Sequence, residues 1–152
     1  MELSPKTKED QIKYGRELGE LLAGKTTPGR FKGIRVPWGI YSHRGGEVFM
    51  TRIRVPAGEI TAQQLIALAE TAAEFGSGQL HLTTRQDIQI HQVKLADTIK
   101  IMERLAKVGL SPRGGGGNTV RNITACSAAG ICRRELFDVR PDALALTAAL
   151  LN

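Results

Sequence analysis

Between residues 48 and 93 the chain twice alternates apolar and polar residues with the two-residue period of a strand. A stretch of helical period lies between. A chain patterned this way folds as a sheet with one greasy face, and the helix supplies its cover. In residues 48–55, Phe49, Ile53 and Val55 fall on one side with Thr51 between them, while Met50, Arg52 and Arg54 fall on the other. Pro56 and Gly58 end that strand. Leu80 and Leu82 point inward from residues 79–83, and Ile88 and Ile90 point inward from residues 87–93. The link through Thr84, Arg85 and Gln86 is short enough to make these two strands a hairpin.

Helices fill the intervals. Thr61 and Gln64 spell a capping box, followed by a buried stripe of Leu65, Leu68, Ala69, Ala72 and Phe75, with Gly76 as a left-handed stop. Residues 95–108 form a second helix with Leu95, Ile99, Met102, Leu105 and Val108 inward, ended by Gly109. After the run Gly114-Gly115-Gly116-Gly117, residues 118–125 read as a fourth strand. The order is β-α-β-β-α-β, a ferredoxin-like α+β fold with helices on one face of an antiparallel sheet.

Three segments are expected. Residues 1–46 carry a polar helix over 6–22, which lies on something rather than forming a core, and an extended Gly-, Pro- and Arg-rich arm. Within that arm, residues 34–36 and 39–41 could be short strands. Residues 47–125 form the ferredoxin-like half-domain. Residues 126–152 are a connector and a helix opened by Pro141, which stops inside an apolar run as a truncated chain would. The first twenty residues lack the pattern of a signal peptide, and no apolar run reaches membrane-spanning length. A cytoplasmic setting with reduced thiols is therefore expected, with no membrane partner.

Chemistry is expected on the sheet face opposite the helices. Strand parity turns Arg52, Arg54, His81, Thr83, Gln89 and His91 outward, with Arg85 at the hairpin end and Arg121 on the fourth strand. Arg52 and Arg54 lie roughly 7 Å apart along one strand, and like charges so close repel unless an anion covers them. Net charge is +6, and 13 of the 21 basic residues are arginines. The guanidinium fork matches carboxylates and phosphates, so the face reads as a platform for a polyanion. An RNA-recognition module is the alternative, since it shares the fold and the positive charge. It stacks bases on aromatic residues, and aromatics are only 5% of this chain and missing from the outward strand positions. No nucleic-acid partner is therefore expected.

The block Thr83-Thr84-Arg85-Gln86-Asp87-Ile88-Gln89-Ile90-His91 resembles the T-[TN]-R-Q-x-[FIL]-Q-[FIL]-H stretch of sirohaem-dependent sulfite and nitrite reductases. The strand end Arg52-Ile53-Arg54-Val55-Pro56-Ala57-Gly58 is similar to their R-x-R-x-P-x-G, with Ala57 where glycine is frequent. Residues 118–126 resemble their later N-x-V-R-N segment. Three motifs in order, from about Phe31 onward, are more specific than any one of them.

The resemblance implies the N-terminal half-domain of an oxidoreductase that reduces sulfite or nitrite by six electrons. Its cofactors would be sirohaem and a four-iron four-sulfur cluster whose ligands lie outside this chain. Carried over by position, Arg52 and Arg121 would be catalytic, facing the oxyanion. Arg54, Thr83, Arg85, Gln89, His91 and Asn118 would bind or support the macrocycle, and His81 stands where relatives carry Arg. Implied partners are the C-terminal half of the same protein and an electron donor such as ferredoxin or a flavoprotein. A relative acting in tetrapyrrole biosynthesis stays open, and the fragment alone is expected to be inactive. Cys126 and Cys132 share the C-x5-C spacing that opens the family's cluster motif but lack its second pair, so they read as small buried thiols, not metal ligands. His43 reads as a surface loop residue, and the glycine run as a flexible connector close to the cofactor.

Overall fold

The computed structural model describes residues 3–151. Four antiparallel strands form one sheet: β1 (Ile40–Ser42), β2 (Phe49–Ile53), β3 (Leu80–Leu82) and β4 (Ile88–Val93), in the order β1-β2-β4-β3. The hairpin of β3 and β4 forms as the short link requires: Thr83 N–H donates to the Asp87 carbonyl and Gln86 turns the corner at φ +60°. A register shift between β2 and β4 accommodates Gln92 (φ +61°), which returns Val93 to the core.

Five helices accompany the sheet: α1 (Pro5–Leu22), α2 (Pro28–Arg35), α3 (Ala62–Phe75), α4 (Thr98–Ala106) and α5 (Arg140–Leu151). The inward residues of β2 and β4 meet α3 and α4 in a core of Ile53, Val55, Leu68, Ala72, Ile88, Ile90, Val93, Ile101 and Leu105. The Thr61 capping box forms in full. The buried stripe of α3 runs through Ala67, Leu68, Thr71 and Ala72 rather than through Leu65 and Ala69, which are exposed.

The ferredoxin-like reading holds, but its fourth strand is not where the pattern put it. Residues 118–125 form no strand. The place beside β2 is taken by β1, which pairs Ile40 with Thr51 and Ser42 with Phe49. Residues 118–125 instead lie across the strand ends. There Ala57 N–H donates to the Ile123 carbonyl at 2.8 Å, and the Gln86 side chain exchanges two hydrogen bonds with the Ala125 backbone at 2.8 and 3.0 Å.

The expected extended arm is also corrected. Residues 28–35 are helical because Thr27 caps them, accepting from Arg30 N–H at 3.3 Å, and Pro28 sits in the first turn, where its missing N–H costs nothing. Residues 34–36 are accordingly not a strand, although residues 40–42 are. Helix α1 helps to build a second core rather than merely lying on one. Tyr14 and Leu18 pack with Phe31, Trp38, Ile40, Phe49 and Met102, whereas Ile12 and Leu22 face solvent.

The glycine run is packed between the edge strand and the turn before it. Gly114 N–H donates to the Pro37 carbonyl and Gly117 N–H to the Tyr41 hydroxyl. A Cβ on Gly116 would stand 2.3 Å from that hydroxyl and 2.4 Å from the Val36 carbonyl oxygen. The run is therefore a close approach of backbones, not a loose connector. Both cysteines, expected to be buried, are exposed.

Candidate functional site: a cationic sheet face

Strand parity delivers what it promised on β2 and β4. Arg52 pairs with Gln89 across the β2–β4 ladder, and Gln89 pairs with His81 across the next. These three side chains form one row on the face away from α3 and α4, flanked by Tyr41 and His91. Tyr41 is the aromatic of this face, and the Arg52 guanidinium covers it at 5.6 Å from the ring centre.

Arg52 is held on several sides. One terminal nitrogen donates to the Gly115 carbonyl at 3.2 Å. Its Nε and Nη2 lie 3.1 and 3.0 Å from the outer amide atom of Gln89. A guanidinium only donates, so that atom is the amide oxygen, and the Gln89 NH2 donates to His91 Nε2 at 3.2 Å. His91 Nδ1 in turn meets His43 Nε2 at 3.3 Å, and His81 presents its edge to His91 at 6.0 Å between ring centres. Burial pushes the His91 imidazole below the ordinary histidine range, and His43 and His81 add to this.

Arg54 does not share the open face. It lies just past the end of β2, buried, with Nε donating to the Arg113 carbonyl at 2.5 Å. Burial pushes its pKa down to about 10, so it remains cationic at neutral pH. Thr83 closes the hairpin, its hydroxyl accepting from Asp87 N–H at 3.0 Å and Arg85 N–H at 3.3 Å. Arg85 is exposed at the hairpin tip. Arg121 is half-buried in the extended segment, with Nε secluded and lacking a protein acceptor. Asn118 is exposed just past the glycine run.

Two residues that the sequence reading did not single out for a role organise this cluster. Asp87 is 3% exposed. Burial raises its carboxyl above the ordinary range, against the pull of Arg52, Arg121, Arg85 and Arg54. One carboxylate thus sits among four guanidiniums, with Oδ1 unpartnered in the protein. Asn122 is buried and donates to the Val55 and Arg85 carbonyls at 3.0 and 2.9 Å, tying the Arg121 segment to the ends of β2 and the hairpin. The available signal was a short polar side chain between Arg121 and Ile123.

The face therefore offers cations and donors around one embedded carboxylate. Arg54 Nη1 and Arg121 Nε are buried N–H groups still wanting acceptors. Among the described residues, no cluster of three or more His, Cys, Asp or Glu is placed to hold a metal ion. No described helix is long and apolar enough to cross a membrane.

A ferredoxin-like half-domain with a cationic sheet face is thus the class of protein that fold and site define. Residues 41–108 match the family described as the nitrite/sulfite reductase ferredoxin-like half domain. It is 40% identical over 116 residues to the assimilatory ferredoxin-dependent nitrite reductase of Haloferax mediterranei, covering 68% of this chain and 20% of that protein. It is 43% identical over 93 residues to the ferredoxin–nitrite reductase of Synechococcus elongatus, covering 60% and 18%. The chain therefore spans about a fifth of the length of these relatives. The structure of the Mycobacterium tuberculosis NirA protein superposes with a TM-score of 0.81 at 20% identity, covering 93% of this chain and 30% of that one, and so shares the fold.

Proposed function

We propose that this chain is the ferredoxin-like portion of an oxidoreductase that reduces nitrite, with sulfite as the competing oxyanion, using sirohaem and a four-iron four-sulfur cluster. The observation that carries the reading is the fixed guanidinium of Arg52 at the end of the row through Gln89 and His91, with the unsatisfied N–H groups of Arg54 and Arg121 nearby. A tetrapyrrole ringed by carboxylates supplies the acceptors such groups want, so the residues present fit sirohaem. The names of the relatives favour nitrite as substrate and ferredoxin as donor.

In this reading Arg52 and Arg121 bind the oxyanion and stabilise its negative charge as it develops. Arg85 and Thr83 bind macrocycle carboxylates along the hairpin, and His91, whose ring nitrogens are engaged by Gln89 and His43, supports the macrocycle through its ring. Gln89, although buried, touches the site through Arg52, and Arg54 holds the Arg113 backbone beneath it. Asn118 lies where the segment carrying Arg121 leaves the glycine run. Bound sirohaem, with the cluster, supplies the electrons. In this reading the exposed ring of His81 offers a hydrogen bond as oxygen leaves. A cytoplasmic location and a contact with the remainder of the same protein belong to this proposal.

The test uses the full-length protein. Arg52→Ala and Arg121→Ala should each lower nitrite turnover by about 10²-fold, the usual cost of one oxyanion donor, while the sirohaem absorbance per protein stays near wild type. Turnover at the wild-type level in both variants overturns the assignment. Parallel assays with sulfite, and with reduced ferredoxin against a flavoprotein donor, separate the substrate and donor choices.

A further inference from the structure

The row from Arg52 to His43 is an oriented chain of hydrogen bonds, and its direction has a consequence. Arg52 can only donate, which fixes the Gln89 oxygen toward it and the Gln89 NH2 toward His91. His91 Nε2 must then be a bare acceptor, so its proton sits on Nδ1 and is donated to His43 Nε2 at 3.3 Å. The chain closes only while His91 is neutral. A second proton on His91 would occupy Nε2 and convert it into a donor. The Gln89 amide, only 8% exposed, would then have to turn its oxygen to His91 and its NH2 to Arg52. Donor would face donor at a distance near 3 Å, and the guanidinium would lose its hold.

We propose that His91, held in its tautomer by His43, sets the orientation of the Gln89 amide and thereby decides whether Arg52 is clamped in the row or released from it. His91, His43 and Gln89 are then positioning residues for Arg52. The significance of that clamp for turnover rests on the function proposed for Arg52, but the switch itself does not. The titratable and charged groups facing His91 are His43 from the β1–β2 loop, His81 from β3, and Arg52 through Gln89 from β2. Burial disfavours a second proton on His91, and His43 and His81 add to this, which favours the clamped state.

The experiment is nitrogen-15 NMR of the histidine rings and the Arg52 Nε–H in this chain, from about pH 8 downward. His91 should show the Nδ1–H tautomer at the alkaline end, with the Arg52 Nε–H protected from exchange. That protection should be lost with the same midpoint as His91 protonation. In Gln89→Glu the carboxylate accepts from Arg52 whichever state His91 is in, and from His91 as well once Nε2 is protonated, so protection should persist through the histidine titration. An Nε2–H tautomer at His91, or Arg52 protection unchanged as His91 titrates, overturns the proposal. Neither readout involves sirohaem or turnover. Failure here therefore leaves the reductase assignment standing, and failure of that assignment leaves the switch standing.

Discussion

Single atoms decide much of the site's geometry. Gly39 has φ +66°, and a Cβ there would meet the Arg52 carbonyl oxygen at 2.6 Å and the Gly115 Cα at 3.2 Å. Gly39→Ala combines a strained backbone with a clash against backbone atoms that cannot move aside. It should lose about 1–3 kcal/mol in urea unfolding and disturb the Arg52 strand. Asp87 makes a subtler case. Its carboxyl is raised, so the folded state holds its proton more tightly than the unfolded chain does. Its contribution to stability is complete below the unfolded carboxylate pKa and declines as pH rises through the raised value. Asp87→Asn cannot titrate, so unfolding free energies at about pH 3 and about pH 7 should differ less than in the parent chain. The variant also leaves four arginines with one fewer counter-charge, and a polycarboxylate should bind the face more tightly.

At the scale of elements, local chemistry fixes the helix starts. The Thr61–Gln64 box satisfies two backbone groups on an exposed surface, so Thr61→Ala should cost about 1 kcal/mol and shift the thermal midpoint without altering the site. The stop of α3 has a different cause from the left-handed cap its glycine suggested. Gly76 is extended (φ −133°), and a Cβ there would lie 2.5 Å from Ile90 Cγ2 and 2.8 Å from the His91 carbonyl oxygen. The glycine is needed because the chain passes hard against β4. Gly109, by contrast, is a left-handed stop (φ +74°), as expected. The missing fourth strand is also settled at this scale. Gln86 and Asn122 bind the backbone of the 118–125 segment or its neighbours with side-chain amides, leaving it no strand partner.

Across the whole molecule, α1 and α4 are joined by one buried polar contact. Thr98 spends its hydroxyl proton on the Leu95 carbonyl at 2.7 Å, so it accepts from the Tyr14 hydroxyl at 2.8 Å. Burial pushes the Tyr14 phenol well above its ordinary range. Tyr14→Phe keeps the ring packed against Phe31 and Trp38 and removes only that donor. It should lower stability by about 1 kcal/mol in denaturant melts. The sheet-face arginines are expected to be unaffected, because the second core lies behind the sheet.

Alternation alone was enough to place Arg52, Gln89, His81 and His91 on one face, since a two-residue period admits no other assignment once Ile88, Ile90 and Ile53 are buried. The capping box and the hairpin were legible for the same reason: their causes lie within a few residues. What the chain's one-dimensional order could not decide was competition between distant segments. β1 and residues 118–125 both had a claim on the edge beside β2, and only the packing of the glycine run against Tyr41 and Val36 shows why β1 holds it. Asp87, Asn122 and His43 likewise acquire their roles largely from neighbours distant in sequence, through burial and charge that exist only once the chain has closed.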